Sequence, residues 1–284
     1  MTEISVAPWA AIAGLLGLIV GSFLNVVIHR LPRMLEAEWR TQCAELAGSP
    51  AGDAGERYNL LFPPSHCPSC RAPIRPWQNI PLISFALLRG RCRHCRERIS
   101  WRYPLVEAAA GVLAALVIWK FGPTLAGASA LVFAWTLLAL SVIDLDTQLL
   151  PDALTLPLIW LGLLVNLGNT LTPLPSAVVG AVVGYLVLWS VYWAFRLLTG
   201  KEGMGYGDFK LLAAIGAWLG WSMLPLVILA SSFVGAVVGI TMMVLRRHTR
   251  GTPMPFGPYL AAAGLIGLLW GTELTGRYLA LFPG

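Results

Sequence analysis

A chain of 284 residues that is 57% hydrophobic and only 12% charged, with a mean hydropathy of +0.70, lies far from the roughly 25% charged residues of an average soluble domain. This composition excludes a soluble globular enzyme and describes a polytopic membrane protein. The formal net charge of +6 would suit a nucleic-acid binder, but twelve of the 20 Lys and Arg fall between Arg30 and Arg102, and six more are Arg196, Lys201, Lys210, Arg246, Arg247 and Arg250; basic loops stay cytoplasmic, so the pattern is one of topology and no nucleic-acid partner is expected.

The first apolar run, 7–28, lacks a basic flank and exceeds the roughly 7–15-residue core of a signal peptide, so residues 1–29 read as a retained transmembrane helix. Residues 30–103 form a polar domain that holds Cys67-Pro-Ser-Cys70 and Cys92-Arg-His-Cys95, with 21 residues between the pairs. Two such knuckles offer four thiolates to one tetrahedral zinc, and with every position filled by sulfur the metal is structural. A redox pair or disulfides are the competing readings, and a cytoplasmic location opposes stable disulfides. Cys43 is left over, and His66 and His94 read as knuckle surface. A domain this small has little core, so the metal would supply much of its stability.

Residues 104–284 read as a seven-helix membrane domain with segments at 104–120, 125–144, 152–169, 175–197, 209–222, 224–245 and 258–280, against the roughly 20 residues needed to span. The predicted fold is therefore all-α, with about eight transmembrane helices and a small zinc-knuckle domain after the first. The charge pattern puts both termini outside the cytoplasm and the loops after the third and fifth segments inside it. Gly17 and Gly21, Gly180 and Gly184, Gly216 and Gly220, and Gly235 and Gly239 repeat a small-xxx-small spacing that permits close helix packing. Trp101, Trp193, Trp221 and Trp270 suit an interfacial belt.

Two carboxylates interrupt this apolar chain, Asp144 in Ser141-Val-Ile-Asp144-Leu-Asp146 and Asp208 in Gly205-Tyr-Gly207-Asp208. Ionisable groups at membrane depth are costly and functional by default. Two carboxyls held close cannot both ionise, so one stays protonated while the other activates water, the chemistry of an aspartic protease. The bland alternative makes Asp208 a helix N-cap, and capping is the expected role of Asp152. Asp146 points to another side of any helix shared with Asp144 and reads as a solvated neighbour. Gly205 and Gly207 would let an extended substrate approach the backbone. Residues 246–258 read as a basic loop followed by helix-start punctuation, or, in Pro255-Phe-Gly-Pro258, as a rigid wall beside the Asp pair.

These residues resemble the membrane-embedded GxGD aspartic proteases, specifically the bacterial type IV prepilin peptidases. Besides Asp144 with Pro151-Asp152 and Gly205-x-Gly207-Asp208, the resemblance rests on Gly21-Ser-Phe-Leu-Asn-Val-Val-Ile-His-Arg-Leu-Pro32, Asn79-Ile-Pro-Leu-Ile-Ser84 and Arg102-Tyr-Pro-Leu-Val-Glu107. It implies an inner-membrane enzyme, catalytic through Asp144 and Asp208, that cleaves the leader of prepilins or pseudopilins after a Gly and methylates the new amino terminus from S-adenosyl-L-methionine. Zinc would be held by Cys67, Cys70, Cys92 and Cys95, on the same cytoplasmic side as the Asp pair, and membrane lipids would hold enzyme and substrate together. No Gly-rich nucleotide fold is visible for the methyl donor, whose candidate residues are Gly90, Glu107 and Glu202, Glu107 reading alternatively as an interfacial first-turn residue. A transporter that couples protons or cations through the same aspartates is the rival from another class, and a non-catalytic assembly scaffold is the second.

Overall fold

The computed structural model describes residues 6–48, 58–245 and 254–280, and 1–122 and 123–284 form two compact units. Among the described residues the chain is helical, with only isolated bridges at His66–Pro73 and Arg91–Arg98.

The first unit contains α1 (Val6–Leu46), α2 (Ile83–Leu87) and α3 (Arg102–Phe121). Helix α1 does not stop at residue 28 but continues to Leu46 with Pro32 inside it. After the proline the chain is rich in Leu, Glu, Ala and Arg, strong helix formers that propagate the helix out of its apolar part. The expected boundary at residue 29 is thus no break in the helix.

Helices α1 and α3 meet through small residues. A Cβ on Gly17 would come within 2.7 Å of Ala110 O and Ala114 Cβ, and one on Gly21 within 2.7 Å of the Glu107 Cα. Asn25 Nδ2 adds a hydrogen bond to Tyr103 O at 3.1 Å. Glu107 is buried, and its Oε2 accepts the Leu82 N–H at 2.9 Å. Arg30, also buried, donates to Asn59 O at 2.9 Å and Pro63 O at 2.6 Å, tying the polar segment back to α1.

The second unit contains α4 (Leu125–Thr147), α5 (Asp152–Val165), α6 (Leu174–Thr199), α7 (Tyr206–Leu219), α8 (Leu224–Val244) and α9 (Gly257–Ala280). Helix α7 is its core: from Asp208 to Trp218 every residue but Lys210 is buried. Its 14 residues span only about 21 Å at 1.5 Å each, less than the hydrocarbon thickness, and it is wrapped by protein rather than lipid.

Polar groups at the far end of α7 are satisfied internally, as a low-dielectric setting requires. Asn166 Nδ2 donates to Ala217 O and Trp218 O at 2.9 and 3.2 Å, while its Oδ1 accepts from the Leu171 and Thr172 N–H groups. Trp218 stacks on Phe133 with centroids 4.9 Å apart and donates Nε1–H to Leu158 O at 2.8 Å.

Among the described residues, five helical stretches are long and apolar enough to cross a membrane: α1, α3, α4, α6 and Trp221–Val244, which includes α8. The segments read at 152–169, 209–222 and 258–280 correspond to α5 with its 3-10 extension, to α7 and to α9.

Helices α6 and α7 pack backbone to backbone at Gly180 and Gly216, where a Cβ on Gly216 would collide with the Gly180 carbonyl, and at Gly184, where a Cβ would lie 2.7 Å from Leu212 O. Substituting Gly216→Val must push the helices apart, since the obstruction is backbone. The expected cost is about 3 kcal/mol or more, read as a lowered melting temperature in detergent, with Gly276→Val, where a Cβ meets nothing within 4 Å, as the tolerated control.

Candidate active site and metal centre

Asp144 occupies the last turn of α4 and is 4% exposed. The helix ends because Gln148 turns left-handed (φ 55°, ψ 32°) and gives its N–H to Asp144 O at 2.9 Å. Asp208 is the third residue of α7 and is 6% exposed. Both line one cavity of about 270 Å³, together with Leu150, Gly205, Gly207, Met254 and Phe256. Asp146, by contrast, is exposed.

Capping explains neither Asp208 nor Asp152. The residue before α7 is Gly205, extended at φ −84° and ψ 154°, and no side chain caps that end. The residue before α5 is Pro151, whose ring sets φ at −59°, so Asp152 is the first helical residue. Its carboxylate instead takes Lys210 Nζ at 2.6 and 2.7 Å.

That pair links the start of α5, just after the Asp144 loop, to the turn that carries Asp208. Gly207 completes the approach, because a Cβ there would lie 2.6 Å from Leu150 Cβ. Partly exposed ion pairs contribute only about 0.2–1 kcal/mol, so Lys210→Met is expected to leave stability almost unchanged. Thermal melts of the wild-type and Lys210→Met proteins check this.

Hydrogen bonding distinguishes the two carboxylates. The Gly257 N–H, at the start of α9, donates to Asp144 Oδ2 at 3.0 Å. Asp208 Oδ1 is buried with no hydrogen-bond partner among the described residues. The Pro255-Phe-Gly stretch thus borders the Asp cavity; residues 246–253 of the same loop lie outside the described residues.

In the first unit, the four Sγ atoms of Cys67, Cys70, Cys92 and Cys95 lie within 4.8 Å of one another. Cys67 and Cys95 are 3.8 Å apart, and Cys70 and Cys92 are 4.0 Å apart. A tetrahedron with metal–sulfur bonds of about 2.3 Å has edges of about 3.8 Å; these two pairs are close to this, and the set as a whole, within 4.8 Å, could hold a metal ion after a small contraction.

The two knuckles are built alike. Arg71 and Arg96 follow the second cysteine of each pair with φ of 55° and 60° and return their N–H groups to Cys67 O and Cys92 O. The Cys92 thiol is lowered to about 7 by the backbone N–H of Cys95 and then that of His94. Cys95 is pushed up to about 12: the Glu97 N–H favours its thiolate, but local desolvation and the neighbouring sulfurs outweigh it. Adjacent thiolates repel, so full deprotonation of this cluster calls for a cation.

Comparison with known proteins shows the family. Residues 15–121 match the family described as Bacterial Peptidase A24 N-terminal domain, and residues 131–240 match the Type IV leader peptidase family. The chain is 58% identical to the prepilin leader peptidase/N-methyltransferase of Stutzerimonas stutzeri over 264 residues, covering 93% of this chain and 91% of that one. The chain belongs to the prepilin leader peptidase/N-methyltransferase family. The proteins of the same name from Pseudomonas aeruginosa and Aeromonas salmonicida are each 56% identical, over 93% and 96% of this chain and 91% and 95% of theirs. No solved structure matches it.

Within this peptidase family chain, the A24 N-terminal stretch carries the knuckles, Gly90 and Glu107, while the leader-peptidase stretch carries Asp144, Glu202 and Asp208. Gly90 has φ 65° and lies between Arg89 and Arg91, which line a second cavity of about 590 Å³ beside Cys92. Glu107 spends its carboxylate on Leu82, and Glu202 lies 3.8 Å from Arg196 Nη1 at the mouth of the Asp cavity. Sequence reasoning missed Lys210 as the partner of Asp152 and Gly257 as the partner of Asp144. The first left no local signal; the second lay within the noted Pro-Phe-Gly-Pro motif.

Proposed function

We propose that this membrane protein is an aspartic endopeptidase and N-methyltransferase that removes the leader of a type IV prepilin or pseudopilin after a Gly and methylates the amino terminus so released. The observation that carries the peptidase half is the placement of two buried carboxylates, Asp144 and Asp208, on one cavity. In the reaction one carboxyl is protonated and the other ionised. The ionised group takes a proton from water as the water oxygen bonds to the scissile carbonyl carbon, and the protonated group gives its proton to the carbonyl oxygen. The resulting diol collapses with cleavage of the C–N bond, its hydroxyl proton returning to the pair and the leaving nitrogen accepting the other. Gly205, with no neighbour within 3.8 Å of a would-be Cβ, leaves room for an extended substrate strand.

The domains assigned to these tasks are 1–29, 30–103 and 104–284, with about eight membrane crossings and with the knuckles and the Asp pair on the cytoplasmic side of the bacterial inner membrane. Cys67, Cys70, Cys92 and Cys95 hold a structural zinc; the sulfur distances support this assignment. S-adenosyl-L-methionine supplies an electrophilic methyl group. We place its carboxylate at Gly90 and the adjoining cavity, whose lining includes Arg89, Arg91, Arg93 and Arg96; Glu107 and Glu202 remain secondary candidates because each already has a partner. Mass analysis of a prepilin incubated with the purified protein and labelled S-adenosyl-L-methionine tests both halves. Loss of the leader and gain of one labelled methyl on the new amino terminus is expected, and an unchanged prepilin overturns the reading in favour of a proton- or cation-coupled transporter.

A further inference from the structure

We infer that the backbone N–H of Gly257 is a positioning group that divides the labour within the Asp pair, anchoring Asp144 as the partner that activates water and leaving Asp208 as the partner that holds the proton. This rests on the peptidase reading above.

Three observations converge. Asp144 Oδ2 accepts the Gly257 N–H at 3.0 Å in a buried setting. Gly257 is the first residue of α9, so its N–H is one of the helix-end donors with no partner inside the helix and carries the partial positive charge of that end. Both features favour an ionised carboxylate. Asp208 Oδ1, by contrast, is buried and has no partner among the described residues, a costly place for a charge and a tolerable one for a protonated carboxyl. The nearby cation does not alter this balance, because Lys210 is bound to both oxygens of Asp152. Glu202, the other carboxylate lining the cavity, lies within reach of Arg196.

The same geometry explains why residue 257 is a glycine. A Cβ there would lie 2.7 Å from Asp144 Oδ2, 3.2 Å from its Cγ and 3.2 Å from Leu150 Cδ2. Any side chain would push the carboxylate off its anchor.

The deciding experiment replaces Gly257 with glycolic acid by nonsense suppression in the full-length protein, which exchanges the N–H for an ester oxygen and adds no atoms. This N–H donates no intrahelical hydrogen bond; the Phe256 carbonyl, which accepts from the Tyr259 and Leu260 N–H groups, becomes a weaker ester acceptor, and the infrared band of Asp144 reports the Gly257 contact itself. The expected result is a kcat for prepilin cleavage lowered roughly tenfold to a hundredfold with KM within about twofold. The infrared carboxylate band assigned to Asp144 by subtracting the Asp144→Asn spectrum should shift, a change that loss of packing alone would not produce. Gly257→Ala, which keeps the N–H but adds the obstructing Cβ, should lower kcat at least as far. An ester protein with wild-type kcat, or with an unmoved Asp144 band, overturns the inference. Asp144→Asn and Asp208→Asn are assayed alongside: cleavage by either would overturn the peptidase reading itself, whereas their inactivity beside a fully active ester protein would overturn only the role of Gly257.

Discussion

Asp208→Asn protein is expected to insert and fold like wild type and to cleave prepilin at least about a thousandfold more slowly. The rate loss follows from the chemistry: an amide can neither hold the exchangeable proton nor return it, and general acid–base steps contribute roughly 10²–10⁴-fold each. Folding should be spared because Asn has the shape of Asp and because Asp208 Oδ1 makes no hydrogen bond to lose among the described residues. Removing a buried ionisable group that lacks full satisfaction should, if anything, raise the melting temperature. Asp144→Asn should be equally inactive, while its amide oxygen can still accept the Gly257 N–H. Asp146→Asn should keep most activity, because Asp146 is exposed two residues further along α4. Gel-based cleavage assays with melting curves for all three proteins check this. Appreciable turnover by Asp208→Asn would defeat the protease mechanism, and equal losses at Asp144 and Asp146 would contradict the helix register.

The second large effect is expected at the knuckles. Among the residues from 58 to 101 whose burial is described, only Cys67 is buried, so this stretch has almost no hydrophobic core. Helix α2, for instance, buries none of its five residues. A structural zinc site is worth about 10–16 kcal/mol of binding free energy at neutral pH, far more than the ring contacts Phe85–Trp101 and Arg93–Trp77 can supply. Cys92→Ser should therefore release most of the zinc and make the 58–101 stretch the first target of limited proteolysis. Methyl transfer should fall steeply, since its site is placed beside Cys92, while leader cleavage, which uses the second unit, should survive in part. Metal analysis, proteolytic mapping and separate cleavage and methylation assays test each element. Wild-type protein without zinc would refute the metal assignment, and methylation untouched by the loss of zinc would move the donor site elsewhere.

Reading the chain alone was enough for features written within a few adjacent residues. Membrane helices follow from runs of apolar side chains, the knuckles from paired cysteines three residues apart, and the close helix contacts from glycines four apart, because each depends on spacing along one element. Asp144 and Asp208 were legible for a related reason, as charges in an apolar context that burial would make expensive. Helix ends were less legible: apolarity stops near residue 28, but helix propensity carries α1 to Leu46, and Pro151 and Gly205 occupy the cap positions expected of Asp152 and Asp208. The pairing of Lys210 with Asp152, 58 residues away, and of Gly257 with Asp144, 113 residues away, could be decided only by tertiary structure. A hydrogen bond needs its donor within about 3 Å of its acceptor, and that separation is set by how α4, α5, α7 and α9 pack together.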